Sequence, residues 1–352
     1  MKSSSTTNKA EHSMRINFKK GYLVTNGNHF SMIKNLALKG GGVKGIAYVG
    51  ALRELEQEGI YENIERVSGT SAGAIVAAMI AVGYSSDEIE ALMHTMDFKK
   101  FKTGWNPIRL FTQYGLYHGD YILWFIHQFL SDSKYKLPKN ATFADLKTAG
   151  GKELIVFAAD LNIHTIAEFS NFKTPQCIVA EAIRASMSIP LFFKAWKFTN
   201  GIPNEHIYVD GGLVFNYPLS FFDQARFHER NGANDETLGL YLESKTLYDA
   251  EVNFSQTQSG NSNNGNKKFY TYTFTYNNWI TSYFKHAFDT LLNAQGIDFM
   301  EESHLVSRTV FIDDLGISAT DFDLKPEDMD HLVESGKIGA QRYFKWKKTQ
   351  TP

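Results

Sequence analysis

The sequence predicts a layered α/β/α domain with a largely parallel central sheet. Three observations carry this. Short apolar strands alternate with helical patterns from Ile33 to the C-terminal region. Two strand-to-helix junctions are glycine-rich turns, which let a helix pack closely behind a strand. Hydrophobic residues make up 43% of the 352 residues and charged residues 21%, enough for a sizeable core.

The elements follow in order. Residues 1–32 are polar and basic and read as a loose N-terminal arm. LALKGGGVKG is a short strand running into glycines, and IAYVGALRELEQEG has apolar residues at helical spacing with a glycine stop. IERVSGTSAGAIVAAMIAVG predicts a brief strand, a tight turn and a strongly apolar helix. SSDEIEALMHTM is a helix with a serine cap and an acidic first turn. After an aromatic-rich stretch from Phe98 to Leu130, TFADLKTAG predicts a capped helix and ELIVFAAD a buried strand. PQCIVAEAIRASMSIP is a helix that ends before Pro190. IYVDGG is a strand closing in a turn, and TLGLYLES a further strand. Residues 255–268 form a polar loop of low complexity. Helical patterns from Trp279 to about His304, the strand RTVFIDDLG and a last helix from Pro326 complete the chain. With no internal repeat and no sharp break in composition, residues 33–220 read as a catalytic core and 221–352 as a continuation of the same domain.

Composition excludes several classes. The formal net charge of −2 argues against a chain-wide nucleic-acid footprint. The single cysteine, Cys177, forms no internal disulfide, and no Cys/His cluster has zinc-site spacing, so no metal is expected. The N-terminus lacks a signal-peptide core, and the longest apolar run, Ala72 to Val82, is short of the ~18–20 residues of a spanning helix. The expectation is a cytoplasmic protein or one peripheral to a membrane. Secretion without a cleaved signal, as for an effector, stays open.

Three glycine motifs carry the chemistry. Gly40-Gly41-Gly42-Val43-Lys44-Gly45 satisfies GxGxxG between a strand and a helix. With 27 glycines in the chain, chance alone supplies roughly 0.16 such matches, so the pattern by itself is weak. A dinucleotide-binding oxidoreductase is one reading, with Glu62 or Glu65 as its ribose acid; a plain packing turn is another. Gly69-Thr70-Ser71-Ala72-Gly73 is GxSxG, set between a strand and a long apolar helix as a nucleophile elbow requires, and it marks Ser71 as a nucleophile. Asp210-Gly211-Gly212 at a strand end is either a turn or a base that backbone can approach closely.

The order of these motifs resembles that of patatin-like phospholipases of the compact bacterial type, from about Ile33 to Leu219. TFADL, the FAADLN strand and the run Ala185-Ser186-Met187-Ser188-Ile189-Pro190 agree with it. The resemblance implies a patatin-like fold and a serine lipid acyl hydrolase. Asp210 is then the base of a Ser–Asp dyad, with no histidine, metal or cofactor. The loop Gly40–Gly45 becomes the oxyanion hole, with the amides around Gly41 and Gly42 as donors. Lys44 either adds charge near a lipid phosphate or faces solvent. A Ser–His–Asp triad is a minor alternative, with His206, His228, His286, His304 and His331 available. A non-catalytic binding module of the same fold is another.

A phospholipid substrate implies a membrane surface as partner, and an activating protein or ligand is consistent with the family. Aromatics beside lysines between Met96 and Leu130 suit such a surface. Residues Tyr121 to Leu130 read either as a helix buried in the core or as a lid over an acyl groove. FKAWKF, from Phe193 to Phe198, is a second candidate wall.

Overall fold

The computed structural model describes residues 32–198, 202, 205–229, 232–243, 283, 286–292, 294–295 and 302–350. The N-terminal arm, the polar loop at 255–268 and much of the helical stretch from Trp279 lie outside the described residues.

In chain order the elements are β1 (Asn35–Leu38), α1 (Ala47–Gln57), β2 (Arg66–Thr70), α2 (Ala72–Ala81), α3 (Ser86–Thr95), α4 (Pro107–Gln113), β3 (Gly115–Tyr117) and α5 (Asp120–Asp132). Then come α6 (Phe143–Thr148), β4 (Glu153–Asp160), β5 (Thr165–Ser170), α7 (Val179–Ser186), β6 (Leu191–Phe193) and β7 (Tyr208–Asp210). β8 (Thr237–Glu243), β9 (Thr309–Asp313) and α8 (Pro326–Gln350) follow. The caps read from sequence are in place: Ser85 and Glu88 form a capping box on α3, as Thr142 and Asp145 do on α6.

The main sheet runs β5-β4-β2-β1-β8-β9, with β7 added on β4. β1 pairs in parallel with β2 and β8, β2 with β4, and β8 with β9, as expected of alternating strands and helices. β8 and β9 therefore complete the sheet begun by the N-terminal half. Two strands break the parallel rule. β5 forms an antiparallel hairpin with β4, and β7 also runs antiparallel to it.

Apolar residues alternate across the sheet and bury both faces. Leu36, Leu38, Val156 and Leu240 join the main core with α1, α2 and α5, whereas Ala37, Ile155, Phe157 and Tyr241 pack with Leu219, Phe221 and Phe222. α2 is buried along its whole length, which explains its unbroken apolar sequence.

Candidate active site

β4 sets the site. Its one edge is taken by β5 from Ile155 to Asp160, so the other edge serves two strands end to end. β2 pairs there up to Thr70, opposite Phe157. β7 arrives from the opposite direction and ends with Asp210 opposite Ala158, the next residue along. Ser71, one residue past β2, thereby meets Asp210 across 139 positions of sequence, and its Oγ donates to Asp210 Oδ2 at 2.7 Å.

Ser71 sits at φ 54°, ψ −126°, a strained conformation for a residue with a side chain. Its surroundings hold it. The Ser71 N–H donates to Ser186 Oγ (2.9 Å), whose hydroxyl donates to the Phe157 carbonyl (2.5 Å). The Ser71 carbonyl accepts from Ala74 N–H at 2.9 Å, and Thr70 Oγ1 donates to the Phe215 carbonyl. The elbow's glycines are demanded by contact: a Cβ on Gly69 would collide with the Gly73 carbonyl, and one on Gly73 with the Leu38 carbonyl. Ala72 opens α2, whose N-terminus points at the serine.

Asp210 is fully buried. Its Oδ1 accepts from Gly212 N–H (2.8 Å) and its own N–H donates to the Ser188 carbonyl (2.9 Å). Gly211 lies so close to β4 that a Cβ there would collide with the Phe157 carbonyl. Burial pushes the Asp210 carboxyl up from its ordinary 3.8 to about 7, although the hydrogen bonds from Ser71 and Gly212 pull it down.

The glycine loop curls over the same serine. Three of its amides are occupied: Gly40 N–H donates to the Asn216 carbonyl, Val43 N–H to Ala319 and Lys44 N–H to Gly41. Gly45 packs on α2, where a Cβ would lie 3.1 Å from Ala72 Cβ. The amides of Gly41 and Gly42 have no hydrogen-bond partner among the described residues. Gly42 adopts φ 59°, and a Cβ there would collide with the Ala319 carbonyl. Lys44 does neither of the things expected of it, because its ammonium pairs with Asp314 at 2.6 Å and is mostly buried.

A narrow apolar cleft begins at Gly42, Val43, Ser71 and Ala72. Ile75, Met93, Met96, Phe98, Phe101, Met187, Ile189, Phe193 and Phe322 wall it. α5 contributes none of these residues. Phe125, Ile126, Phe129 and Leu130 belong to the core, so the core reading of that helix holds and the lid reading does not. From FKAWKF only Phe193 reaches the cleft. Instead the 3-10 turn Phe98–Lys102 turns Phe98 and Phe101 inward and Lys99 and Lys100 outward. The three most exposed large apolar side chains among the described residues lie on and beside α4: Trp105 at 60%, Ile108 at 70% and Phe111 at 83%.

Among the described residues neither Ser71 nor Asp210 hydrogen-bonds to a histidine. His206 is bonded to Asp160 (2.7 Å). No group of three or more His, Cys, Asp or Glu among the described residues could hold a metal, and no described helix is long and apolar enough to cross a membrane.

Four supporting residues were not singled out from sequence. Ser186 and Ser188 stood only as part of the run Ala185–Pro190, yet they anchor the backbones of Ser71 and Asp210. Arg184, 1% exposed, donates to Ser188 Oγ (2.7 Å) and to the carbonyls of His118, Gly119 and Lys194. Asn216 ties the glycine loop to the Asp-Gly-Gly turn. No local pattern announces such roles, because each depends on a tertiary neighbour.

Comparison with known proteins bears on the family and the fold. The R571 protein of Acanthamoeba polyphaga mimivirus is 34% identical over 242 residues, which are 66% of this chain and 78% of that protein. The cUMP-AMP-activated phospholipase of Escherichia coli is 44% identical over 73 residues, 20% of this chain and 23% of that enzyme. Among solved structures, VipD from Legionella pneumophila superposes with a TM-score of 0.52 at 17% identity, covering 89% of this chain and 66% of VipD, a likeness of fold. The profile of patatin-like phospholipases matches residues 36–223. That match takes in more than half of the sequence, and the chain belongs to the patatin-like phospholipase family.

Proposed function

We propose that the protein hydrolyses fatty-acyl esters of phospholipids with Ser71 as nucleophile and Asp210 as its base. The observation that carries this reading is the 2.7 Å hydrogen bond from the serine of a strained elbow to a fully buried carboxylate, at the head of an apolar cleft. Asp210 takes the Ser71 proton as Oγ attacks the ester carbonyl. A carboxyl lifted to about 7 is matched to that task at neutral pH, since its proton affinity is far above that of an ordinary aspartate. Negative charge developing on the carbonyl oxygen falls to the Gly41 and Gly42 amides, each such pre-aimed donor being worth about 3–4 kcal/mol of barrier. Asp210 then returns its proton to the departing alcohol. The acyl chain lies along Ile75, Met93, Phe98 and Phe101, which supply binding energy by burial.

The substrate arrives from a lipid surface. Trp105, Ile108 and Phe111 project beside the lysines of the 3-10 turn, the pairing that suits the headgroup region of an anionic membrane. The protein then works as a peripheral membrane enzyme.

The test is fatty-acid release from mixed phospholipid vesicles by wild type, Ser71→Ala and Asp210→Asn. Because the Escherichia coli relative is named for activation by cUMP-AMP, the assay is run with and without that nucleotide. Release that vanishes in both variants supports the dyad. Release that survives in Ser71→Ala refutes it.

A further inference from the structure

Asn216 is 1% exposed, yet neither its Oδ1 nor its Nδ2 has a hydrogen-bond partner among the described residues. Buried amides are almost always satisfied, and a doubly orphaned one opposes folding unless something else completes it. The side chain has little freedom to escape. The Asn216 N–H donates to Gln295 Oε1 (2.9 Å), its carbonyl accepts from Gly40 N–H (2.9 Å), and the preceding carbonyl accepts from Thr70 Oγ1 (2.9 Å). The backbone is thus pinned to the glycine loop, to the end of β2 and to the helical stretch 286–292 with 294–295.

Its place is as telling as its lack of partners. A Cβ on Gly40 would collide with Asn216 Oδ1 and lie 3.2 Å from Ser71 Cβ. A Cβ on Gly212 would lie 3.1 Å from Asn216 Oδ1 and 3.0 Å from Asp210 Oδ1. By these contacts Oδ1 lies within about 6 Å both of the Cβ that bears the nucleophile and of the carboxyl of the base. An oxyanion accepts hydrogen bonds only and would leave Oδ1 bare. A water molecule donates and accepts, and the carbonyl and one N–H of a primary amide lie on a single edge where one water serves both.

We propose that the Asn216 carboxamide holds the water that hydrolyses the acyl-enzyme. This rests on the Ser71–Asp210 reading above. Once Ser71 Oγ carries the acyl group it has no proton to donate, and Asp210 Oδ2 is open to a new donor. Water held by Asn216 gives one proton to Asp210 as its oxygen bonds to the acyl carbon. The tetrahedral intermediate collapses, the bond from carbon to Ser71 Oγ breaks, and Asp210 passes the proton to Oγ. The fatty acid leaves with the water's oxygen, and serine and carboxylate are restored.

The experiment is stopped-flow release of p-nitrophenol from p-nitrophenyl butyrate, with methanol as a competing acceptor. Asn216→Leu keeps the branching at Cγ and the backbone bonds and removes the polar edge. The expected result is an unchanged burst, a steady state about tenfold to a hundredfold slower, as for one lost hydrogen bond at a reacting group, and a raised ratio of methyl ester to free acid. Asn216→Ser, which keeps a donor and an acceptor, falls between and serves if the leucine variant does not fold. Burst and steady state falling together, or a product ratio equal to that of wild type in both variants, overturns the assignment. Wild-type rates retained in Ser71→Ala overturn the underlying mechanism as well, and that control distinguishes the two failures.

Discussion

Asp210→Asn is expected to make the protein more stable at neutral and alkaline pH. Folding encloses the Asp210 carboxyl completely and raises it from 3.8 to about 7, so the folded state favours its neutral form. The contribution of this group to stability is intact below the ordinary carboxylate range and is lost as pH rises through 7. The full linked free energy is about 4 kcal/mol, developing at about 1.4 kcal/mol per pH unit. Asparagine carries no such penalty. Its oxygen still accepts from Gly212 and its amide donates to Ser71 Oγ in place of the bond now at 2.7 Å. Every other ionisable group is common to both proteins, so the difference between their unfolding free energies isolates this one. Guanidinium unfolding of both is measured between about pH 5 and pH 8. The advantage of the variant should widen by about 3 kcal/mol up to neutrality and then level off. Two curves that stay parallel across that range would refute the claim that Asp210 is held protonated by burial.

With Asp210 as the proposed base, acylation should rise with pH through a single ionisation near 7 and reach a plateau, and a profile flat from pH 5 to 8 counts against that role. Arg184→Met removes a buried donor from the carbonyl of Gly119 and from the part-buried carbonyls of His118 and Lys194, and should cost about 3 kcal/mol by chemical denaturation. Arg184→Lys should not rescue it, because an ammonium lacks the planar fork that reaches Ser188 and the carbonyls together; a lysine variant as stable as wild type contradicts this. Phe111→Asp should weaken sedimentation with anionic vesicles about tenfold while leaving hydrolysis of a short soluble ester within twofold, since Phe111 is 83% exposed and outside the cleft. Equal losses in both assays would assign it a structural role.

The parallel part of the sheet and the three motifs were legible because each is a local pattern: an apolar strand, a glycine turn, a helix with caps. The antiparallel pairings were not. β5 is exposed at its start and does not stand out from its loops, and β7, legible as the strand IYV, takes its direction from a tertiary partner, β4. Lys44 illustrates a second limit, since its partner Asp314 lies 270 residues away. Arg184 and Asn216 illustrate a third: an arginine in a helix and an asparagine after a turn look like surface residues until their burial is known. Within the aromatic stretch from Met96 to Leu130 the sequence does not separate inside from outside, because that depends on packing: α5 buries Phe125, Ile126, Phe129 and Leu130, whereas α4, a shorter helix, leaves Ile108 and Phe111 exposed.

The head-to-head meeting of β2 and β7 on one edge of β4 has a consequence for how such a protein can diversify. The spacing of serine and aspartate is written in consecutive rungs of a single strand, Phe157 and Ala158, not in the length of the chain between them. Segments that wall the cleft, including the 3-10 turn and the stretch around Phe322, can be lengthened, shortened or exchanged while the reacting atoms keep their separation. Selection for a new lipid is thereby decoupled from retention of chemistry. The vulnerable point shifts to β4, where one inserted residue would displace both partners' registers at once and no change elsewhere could compensate.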